Sequence, residues 1–208
     1  MGMSGRRGVD RRTFLGRLAA APVLLNFACA TRAEPAPVQL NEWGGAAEAP
    51  ESPSWSTRIA PEGEPGEPML VSGRVYGPDG RTPAAGILVY AYHTDVTGLY
   101  TTRGDETGNG RRHGRLRGWM RTNAEGRYEF RSIRPAPYPG RVDPAHVHMT
   151  ISGPGRPEYW IDSIWFADDP LVTPEARRHL TGRGGFDPVI RLTRGPDGVL
   201  VGTRDIRL

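Results

Sequence analysis

The sequence predicts an all-β fold, an antiparallel β-sandwich with one short helix and long loops. Residues 68–208 contain many short segments rich in apolar and β-branched residues, and Gly and Pro clusters separate these segments. Only one stretch of this region, residues 173–180, has the signature of a helix. Many short strands joined by Gly and Pro turns are typical of β-sandwiches.

Residues 1–30 have the three parts of an export signal, namely early arginines, an apolar stretch at residues 18–27 and small residues at 28–30. The pair Arg11-Arg12 adds a twin-arginine pattern, which marks a route for proteins exported in the folded state. The sequence therefore predicts a twin-arginine-type signal and a periplasmic or extracellular protein. An ordinary secretory signal and a lipid anchor on Cys29 are the alternatives.

The charge balance argues against a nucleic-acid partner. All 27 residues counted as Lys or Arg are Arg, and residues 1–30 hold five of them with a single acid. Without that segment the chain is close to neutral, whereas a nucleic-acid-binding domain is expected to be basic. No second apolar run approaches the ~20 residues that a membrane span needs.

Residues 31–67 are rich in Pro, Glu, Ala and Gly and lack an apolar period. This composition predicts a linker or an extended arm, and its Trp43 and Trp55 suggest that parts of it lie on the domain surface. Residues 68–208 are then the folded domain. Cys29 is the only cysteine, so cleavage after residue 30 would leave a chain that cannot form disulfides. A packed core, with or without a metal, must then stabilise it.

Within the domain, the turn Asn123–Gly126 predicts that residues 117–133 form a hairpin. Thr173 before Pro174 predicts the start of the helix. The remaining strands are expected in residues 69–77, 87–95, 145–153, 158–166, 189–195 and 198–208.

The segment "PAPYPGRVDPAHVHM" (residues 135–149) suggests chemistry, because His146 and His148 are two positions apart on a predicted strand. Side chains at i and i+2 point to the same face, so the two imidazoles could bind one metal ion. From spacing alone, such a pair is more often a polar strand face or a satisfied hydrogen-bonding pair than a set of metal ligands.

Five separated motifs resemble the intradiol ring-cleavage dioxygenases, the family of protocatechuate and catechol dioxygenases. In order they are Gly-x-Tyr, Thr-x-x-x-Gly-x-Tyr-x-Phe, Ile-x-Pro-x-Pro-Tyr-Pro, Pro-Ala-His-x-His and Phe-x-x-Asp-Pro, within residues 68–170. The resemblance implies a mononuclear non-haem Fe(3+) held by Tyr100, Tyr138, His146 and His148. It also implies that Tyr138 leaves the metal when substrate binds.

The implied reaction cleaves a catechol-like ring between its two hydroxylated carbons, with both atoms of O2 entering a muconate-type product. The implied partners are a small aromatic diol and O2, with no nucleic acid and no membrane span, and a homo-oligomer is left open. Two other classes compete with this enzyme. One is a transthyretin-like binding module, and the other is an iron-binding pseudoenzyme without turnover.

The sequence departs from the family at two positions near the site. Family members have an arginine three residues before the first histidine ligand, where this chain has Asp143, while Arg141 lies two residues earlier. We expect Arg141 to take over the catalytic role of stabilising negative charge on the substrate. Ser163 stands where protocatechuate enzymes have a glutamine. If Arg141 does not act, the next candidates are Arg115, Arg117 and Arg121.

The other tyrosines and histidines are expected to have structural or surface positions. His93 is expected to support the site by hydrogen bonding, and His113 and His179 are expected to be solvated. Four tyrosines in strand patterns are expected to pack in or on the strands: Tyr76, Tyr90, Tyr92 and Tyr128.

Overall fold

The structure is a computed structural model that describes residues 44–140 and 142–208. The predicted export signal at residues 1–30, the first part of the predicted arm and Arg141 therefore lie outside the described residues. The described chain forms two β-sheets whose inner faces share a core. The predicted all-β sandwich is confirmed.

The strands are β1 Ser56–Arg58, β2 Pro68–Tyr76, β3 Leu88–His93, β4 Arg117–Arg121, β5 Arg127–Ile133, β6 His146–Gly153, β7 Arg156–Phe166, β8 Val189–Ile190, β9 Thr193–Arg194, β10 Leu200–Thr203 and β11 Ile206–Arg207. The first sheet has the strand order β1-β5-β2-β10-β9, and β11 also pairs with β2. The second sheet has the order β4-β3-β6-β7-β8.

The long central strands pair antiparallel, as predicted, but four peripheral pairs are parallel. These are β1 with β5, β7 with β8, and β10 and β11 with β2. Parallel neighbours need long connections, and the partners in each of these pairs are separated by more than twenty residues. The strand β1 of the first pair lies within residues 31–67, the segment predicted to be a linker or an extended arm.

The predicted hairpin at residues 117–133 is wrong. The turn is present, because the Gly126 amide donates to the Asn123 carbonyl at 2.9 Å. The two strands nevertheless belong to different sheets, since β4 pairs with β3 and β5 pairs with β2. Thr122 accounts for the separation: its hydroxyl accepts from the Ile87 amide and donates to the Ala84 carbonyl, which ties the chain to the segment entering β3.

Helical structure is minor, as predicted. The expected helix is α2, Pro174–Arg177, and the Thr173 hydroxyl caps it by accepting from the Ala176 amide at 3.1 Å. The structure adds one turn that the sequence did not predict, α1 at Gly110–His113, and a short 3-10 helix at Ala46–Glu48. Within residues 44–140 and 142–208, no helix has the length and apolar character of a membrane span.

The second sheet has two buried faces, and this property positions the site. Val89 and Ala91 of β3 point into the core, while Tyr90 and Tyr92 between them point outward and are still at most 7% exposed. The outward face is covered by the β3–β4 and β5–β6 loops and by the segment around residue 45. A polar site on this face is therefore partly shielded from solvent.

Candidate metal centre

Four polar atoms converge on the outward face of the second sheet. The Tyr100 and Tyr138 hydroxyls are 2.5 Å apart, and the Tyr138 hydroxyl lies 3.1 Å from the Nε2 atoms of both His146 and His148. The two Nε2 atoms are 3.0 Å from each other. The structure thus brings together all four side chains that the resemblance named as ligands, although Tyr100 and His148 are far apart in the sequence.

The alternation of β6 places the two histidines. Val147 and Met149 point into the core, so His146 and His148 both face outward. The register with β7 shifts between Val147 and Met149, which pair with Ile164 and Ile161. This irregularity leaves an extra β7 residue beside His148, and the Ser163 hydroxyl lies 3.2 Å from its Nδ1.

The two tyrosines reach the site on loops that are bound to each other. The Ala136 amide donates to the Asp95 carbonyl at 3.1 Å, and the Thr94 hydroxyl donates to the Ala136 carbonyl at 2.7 Å. Gly98 has a φ of +79°, and a Cβ there would lie 2.2 Å from the Pro137 carbonyl oxygen. The Gly-x-Tyr motif therefore needs glycine both for its backbone angle and for the close approach of the two loops.

Hydrogen bonds on the far side of each imidazole direct a lone pair into the centre. His146 Nδ1 lies 2.7 Å from the Pro144 carbonyl, which can only accept, so this nitrogen carries the proton and Nε2 does not. The Ser163 hydroxyl can accept from His148 Nδ1–H, and in that tautomer the Nε2 lone pair of His148 also points inward. The two lone pairs, 3.0 Å apart, would then repel unless a cation lay between them, which is the arrangement expected of metal ligands.

Burial sets the protonation states of the four groups. Burial lowers the pKa of His148 to about 3 and lowers that of His146, so both imidazoles are neutral, the form that binds metals. Burial raises the pKa values of Tyr100 and Tyr138, so both phenols stay protonated without a cation. A multivalent cation at the point of convergence would favour the phenolates and deprotonate them.

The donor set fits a hard, highly charged cation such as ferric iron. It offers two neutral imidazole nitrogens and two oxygens that become phenolates, with no thiolate. Across residues 44–140 and 142–208, no group of three or more His, Cys, Asp or Glu side chains could hold a metal ion, so the tyrosines are needed to complete a site.

Asp169 of the Phe-x-x-Asp-Pro motif supports the centre, a role that sequence analysis missed. Its buried carboxylate accepts from the Ala145 amide at 2.8 Å and from the Leu171 amide at 2.9 Å. Ala145 immediately precedes His146, so Asp169 fixes the start of β6. The signal that could have identified it is its place in one of the five family motifs, three of which carry the four converging side chains.

His113 was expected to be solvated, and that prediction is wrong. It is 4% exposed, its ring stacks on Tyr92 at 3.8 Å, and its Nδ1 lies 2.8 Å from the Tyr90 hydroxyl. Tyr92 in turn stacks on His148 with ring centroids 4.7 Å apart. The loop around α1 folds back over the sheet, because the Asn109 amide donates to the Glu48 carboxylate.

The other predicted packing and surface positions agree with the structure. Tyr90, Tyr92 and Tyr128 are buried, Tyr76 is half-buried in β2, and His179 is exposed. The prediction that His93 supports the site by hydrogen bonding is wrong. His93 lies on the core side of β3, where its Nε2 is 2.6 Å from the Ser132 hydroxyl of the opposite sheet and its Nδ1 is 2.7 Å from the Thr94 carbonyl.

The three alternative arginines are all engaged elsewhere. Arg115 binds the Glu64 carboxylate, Arg117 binds Glu48, and Arg121 donates to the Gly86 carbonyl at 3.2 Å. Asp143 is exposed, and its charge contributes, after the larger effect of burial, to the raised pKa of Tyr138.

Comparison with known proteins shows that this chain is similar to the members of one family. The model of a family described as Dioxygenase matches residues 46–179. Catechol 1,2-dioxygenase 1 of Acinetobacter lwoffii is 32% identical over 144 residues, which cover 56% of this chain and 45% of the relative. The protocatechuate 3,4-dioxygenase beta chain of Burkholderia cepacia is 31% identical over 139 residues, covering 56% and 55%. This chain spans about half the length of these curated relatives.

Solved structures give the same result for the fold. The dioxygenase domain of a dioxygenase and carbohydrate-binding protein fusion from Streptomyces sp. SirexAA-E has a TM-score of 0.57 and 28% identity, and the match covers 76% of this chain and 90% of that one. Catechol 1,2-dioxygenase from Acinetobacter sp. ADP1 has a TM-score of 0.58 at 21% identity, covering 77% and 59%, which shows likeness of fold.

Proposed function

Because this chain belongs to the intradiol ring-cleavage dioxygenase family, we propose that it cleaves a catechol-like aromatic between its two hydroxylated carbons, using O2 and non-haem ferric iron. The product is a muconate-type dicarboxylic acid that contains both oxygen atoms of O2. The observation that carries the proposal is the convergence of Tyr100, Tyr138, His146 and His148 within 2.5–3.1 Å contacts.

These four side chains would hold the iron. Ferric iron, when bound, supplies the Lewis acidity that keeps the phenols deprotonated and activates a bound catechol towards O2. His146 and His148 contribute neutral imidazoles whose orientation is fixed by the Pro144 carbonyl and the Ser163 hydroxyl. His146 is buried and the other three side chains are half-buried, so the reacting groups are partly withdrawn from water.

Tyr138 is the proton acceptor in this proposal. Its hydroxyl contacts both imidazoles and the other tyrosine, so it lies at the centre of the four groups. Burial raises its pKa, which makes its phenolate a strong base. If a diol oxygen displaced Tyr138 Oη, the freed phenolate would take the proton of that hydroxyl, and Tyr100 would remain one of the residues that hold the iron.

The test is the metal content, colour and oxygen uptake of the purified protein. We expect about one iron per chain, a red-brown colour from tyrosinate-to-iron charge transfer, and oxygen uptake with at least one diol among catechol, protocatechuate and hydroxyquinol. His148→Ala should lose iron and colour because a ligand is removed. Tyr128→Phe should keep both, since the Tyr128 hydroxyl donates to the Arg204 carbonyl in the core instead.

Each alternative has its own result in this experiment. Colourless, iron-free protein after expression with ample iron would contradict the proposal and favour a binding module. Coloured protein without oxygen uptake on any diol would indicate a pseudoenzyme.

We also propose that residues 1–30 direct export. N-terminal sequencing of the protein recovered from the periplasm or medium should begin after residue 30. Intact protein confined to the cytoplasm would contradict export.

A further inference from the structure

A cleft of about 410 Å³ adjoins the candidate metal centre. His148 of the centre and Tyr92, which stacks on it, line the cleft together with Trp160 and Trp165 of β7. A cavity of about 150 Å³ is enough for a benzene-sized molecule. The cleft therefore has room for more than the single ring of an unsubstituted catechol.

The walls of the cleft suit an apolar or aromatic group. Trp160 and Trp165 are only half-buried, whereas Ile161, Ile164 and Phe166 of the same strand fill the core. The Trp160 ring lies 6.0 Å from the His148 ring, so it is next to the centre. Partly exposed indoles beside a catalytic group offer a large apolar surface to a ligand.

The charges around the cleft disfavour an anionic group. Of the described residues that line it none is Lys or Arg, and its one carboxylate, Asp162, accepts from the Thr181 and Gly182 amides. A neighbouring depression shares Trp165 and His179 with the cleft. Its described lining adds two acids, Asp143 and Glu175, and again no Lys or Arg.

We propose that the cleft receives an uncharged apolar substituent of the substrate, so that the protein prefers catechols with uncharged alkyl or aryl groups over carboxylated catechols. This inference rests on the proposed ring-cleavage function and specifies its substrate class. An apolar substituent between the indoles of Trp160 and Trp165 is removed from water, which stabilises its binding. A carboxylate there loses hydration, and none of the described lining residues offers it a cation.

The kinetic test compares kcat/KM for catechol, 4-phenylcatechol and protocatechuate by oxygen uptake. We expect 4-phenylcatechol to exceed protocatechuate by ~10-fold or more. Trp165→Ala should lower the ratio of 4-phenylcatechol to catechol by ~10-fold. Trp55→Ala is the matched control, because Trp55 is a 40% exposed tryptophan away from the cleft, and it should leave the ratio unchanged.

A second variant introduces a positive charge into the cleft and leaves Trp165 unchanged. Leu180 lines the cleft and is half-buried, so Leu180→Arg places a cation at its edge. It should raise kcat/KM for protocatechuate relative to 4-phenylcatechol by ~10-fold. A parent that prefers protocatechuate, or a Leu180→Arg variant with unchanged selectivity, overturns the inference.

A binding measurement separates this inference from the proposed function. 4-Phenylphenol has a single hydroxyl and is not a ring-cleavage substrate, so calorimetry can follow its binding without turnover. We expect Trp165→Ala to weaken binding by ~10-fold and Trp55→Ala to have no effect. Such binding without turnover of any diol supports the cleft and contradicts the dioxygenase, whereas diol turnover with equal binding in both variants contradicts the cleft.

Discussion

At the scale of single residues, one backbone carbonyl sets the tautomer of a proposed metal ligand. The Pro144 carbonyl accepts from His146 Nδ1 at 2.7 Å and so leaves the Nε2 lone pair free to face the other three donors. Prolines surround this segment and limit its backbone freedom. The chemistry of the ligand therefore depends on the rigid backbone that precedes β6 as much as on the histidine itself.

The first prediction concerns Arg141, the remaining candidate for stabilising charge on the substrate, since Arg115, Arg117 and Arg121 have other partners. Arg141→Ala should lower turnover by ~100-fold, because a cation beside developing negative charge stabilises the transition state. Iron content and visible absorption should not change. Asp143→Ala is the control, and its turnover should stay close to that of the parent. Full activity of Arg141→Ala on the best substrate would assign this role to another group.

At the scale of the elements, the centre depends on two loops that hold each other. The β3–β4 loop brings Tyr100 and the β5–β6 loop brings Tyr138, and their contacts pass through Thr94, Asp95 and Ala136. Neither loop has regular structure around its tyrosine, so these mutual hydrogen bonds replace the order that a strand would provide. The distance between the two phenols is thus a property of the loop pair.

The second prediction tests this pairing through Gly98. Gly98→Ala should reduce iron retention and lower the free energy of unfolding by more than about 2 kcal/mol. The new Cβ would clash with the Pro137 carbonyl oxygen, and alanine is also strained at the positive φ of this position. Gly104→Ala is the matched control. Gly104 lies in the same loop with a φ of +101° and open space around its Cβ, so only the cost of its backbone angle, about 1–2 kcal/mol, is expected.

Iron content and denaturant unfolding of the two glycine variants provide the measurement. Equal iron loss in both variants would show that iron retention depends on the backbone angle and not on the contact between the two loops.

At the scale of the whole molecule, the second sheet separates the core from the site. Its inner face packs against the first sheet, and its outer face carries the two histidines under the loops. His93 lies on the inner side and joins the two sheets through the Ser132 hydroxyl. It is fully buried, and burial lowers its pKa to about 4.

The third prediction is an acid sensitivity that originates in the core. An unfolded histidine has a pKa of about 6.5, so between pH 6.5 and 4 the unfolded state binds a proton at this position and the folded state does not. The free energy of unfolding should therefore fall by up to about 3 kcal/mol as the pH drops through this range. Above pH 6.5 His93 is neutral in both states, so it should not make the free energy of unfolding vary with pH.

Urea unfolding at pH 7, 5.5 and 4.5 measures this effect. His93→Gln should flatten the pH dependence relative to the parent, while His179→Gln, a change at an exposed histidine, should leave it unaltered. If the His93 variant and the parent had equal slopes, the acid sensitivity would come from other groups.

The sequence by itself determined the fold class and the order of most strands, and its resemblance to a known family named the four residues that meet at the centre. Local signals were sufficient for the strands and turns, since alternation identifies strands and Gly and Pro identify turns, whereas Tyr100 and Tyr138 were named through the motifs of the resemblance. The tertiary structure alone decided which sheet each strand joins, as the separation of β4 from β5 shows. It also decided the burial of His113, the support from Asp169 and the cleft beside Trp165. These features depend on contacts between distant segments, and such contacts leave no periodic pattern in the sequence.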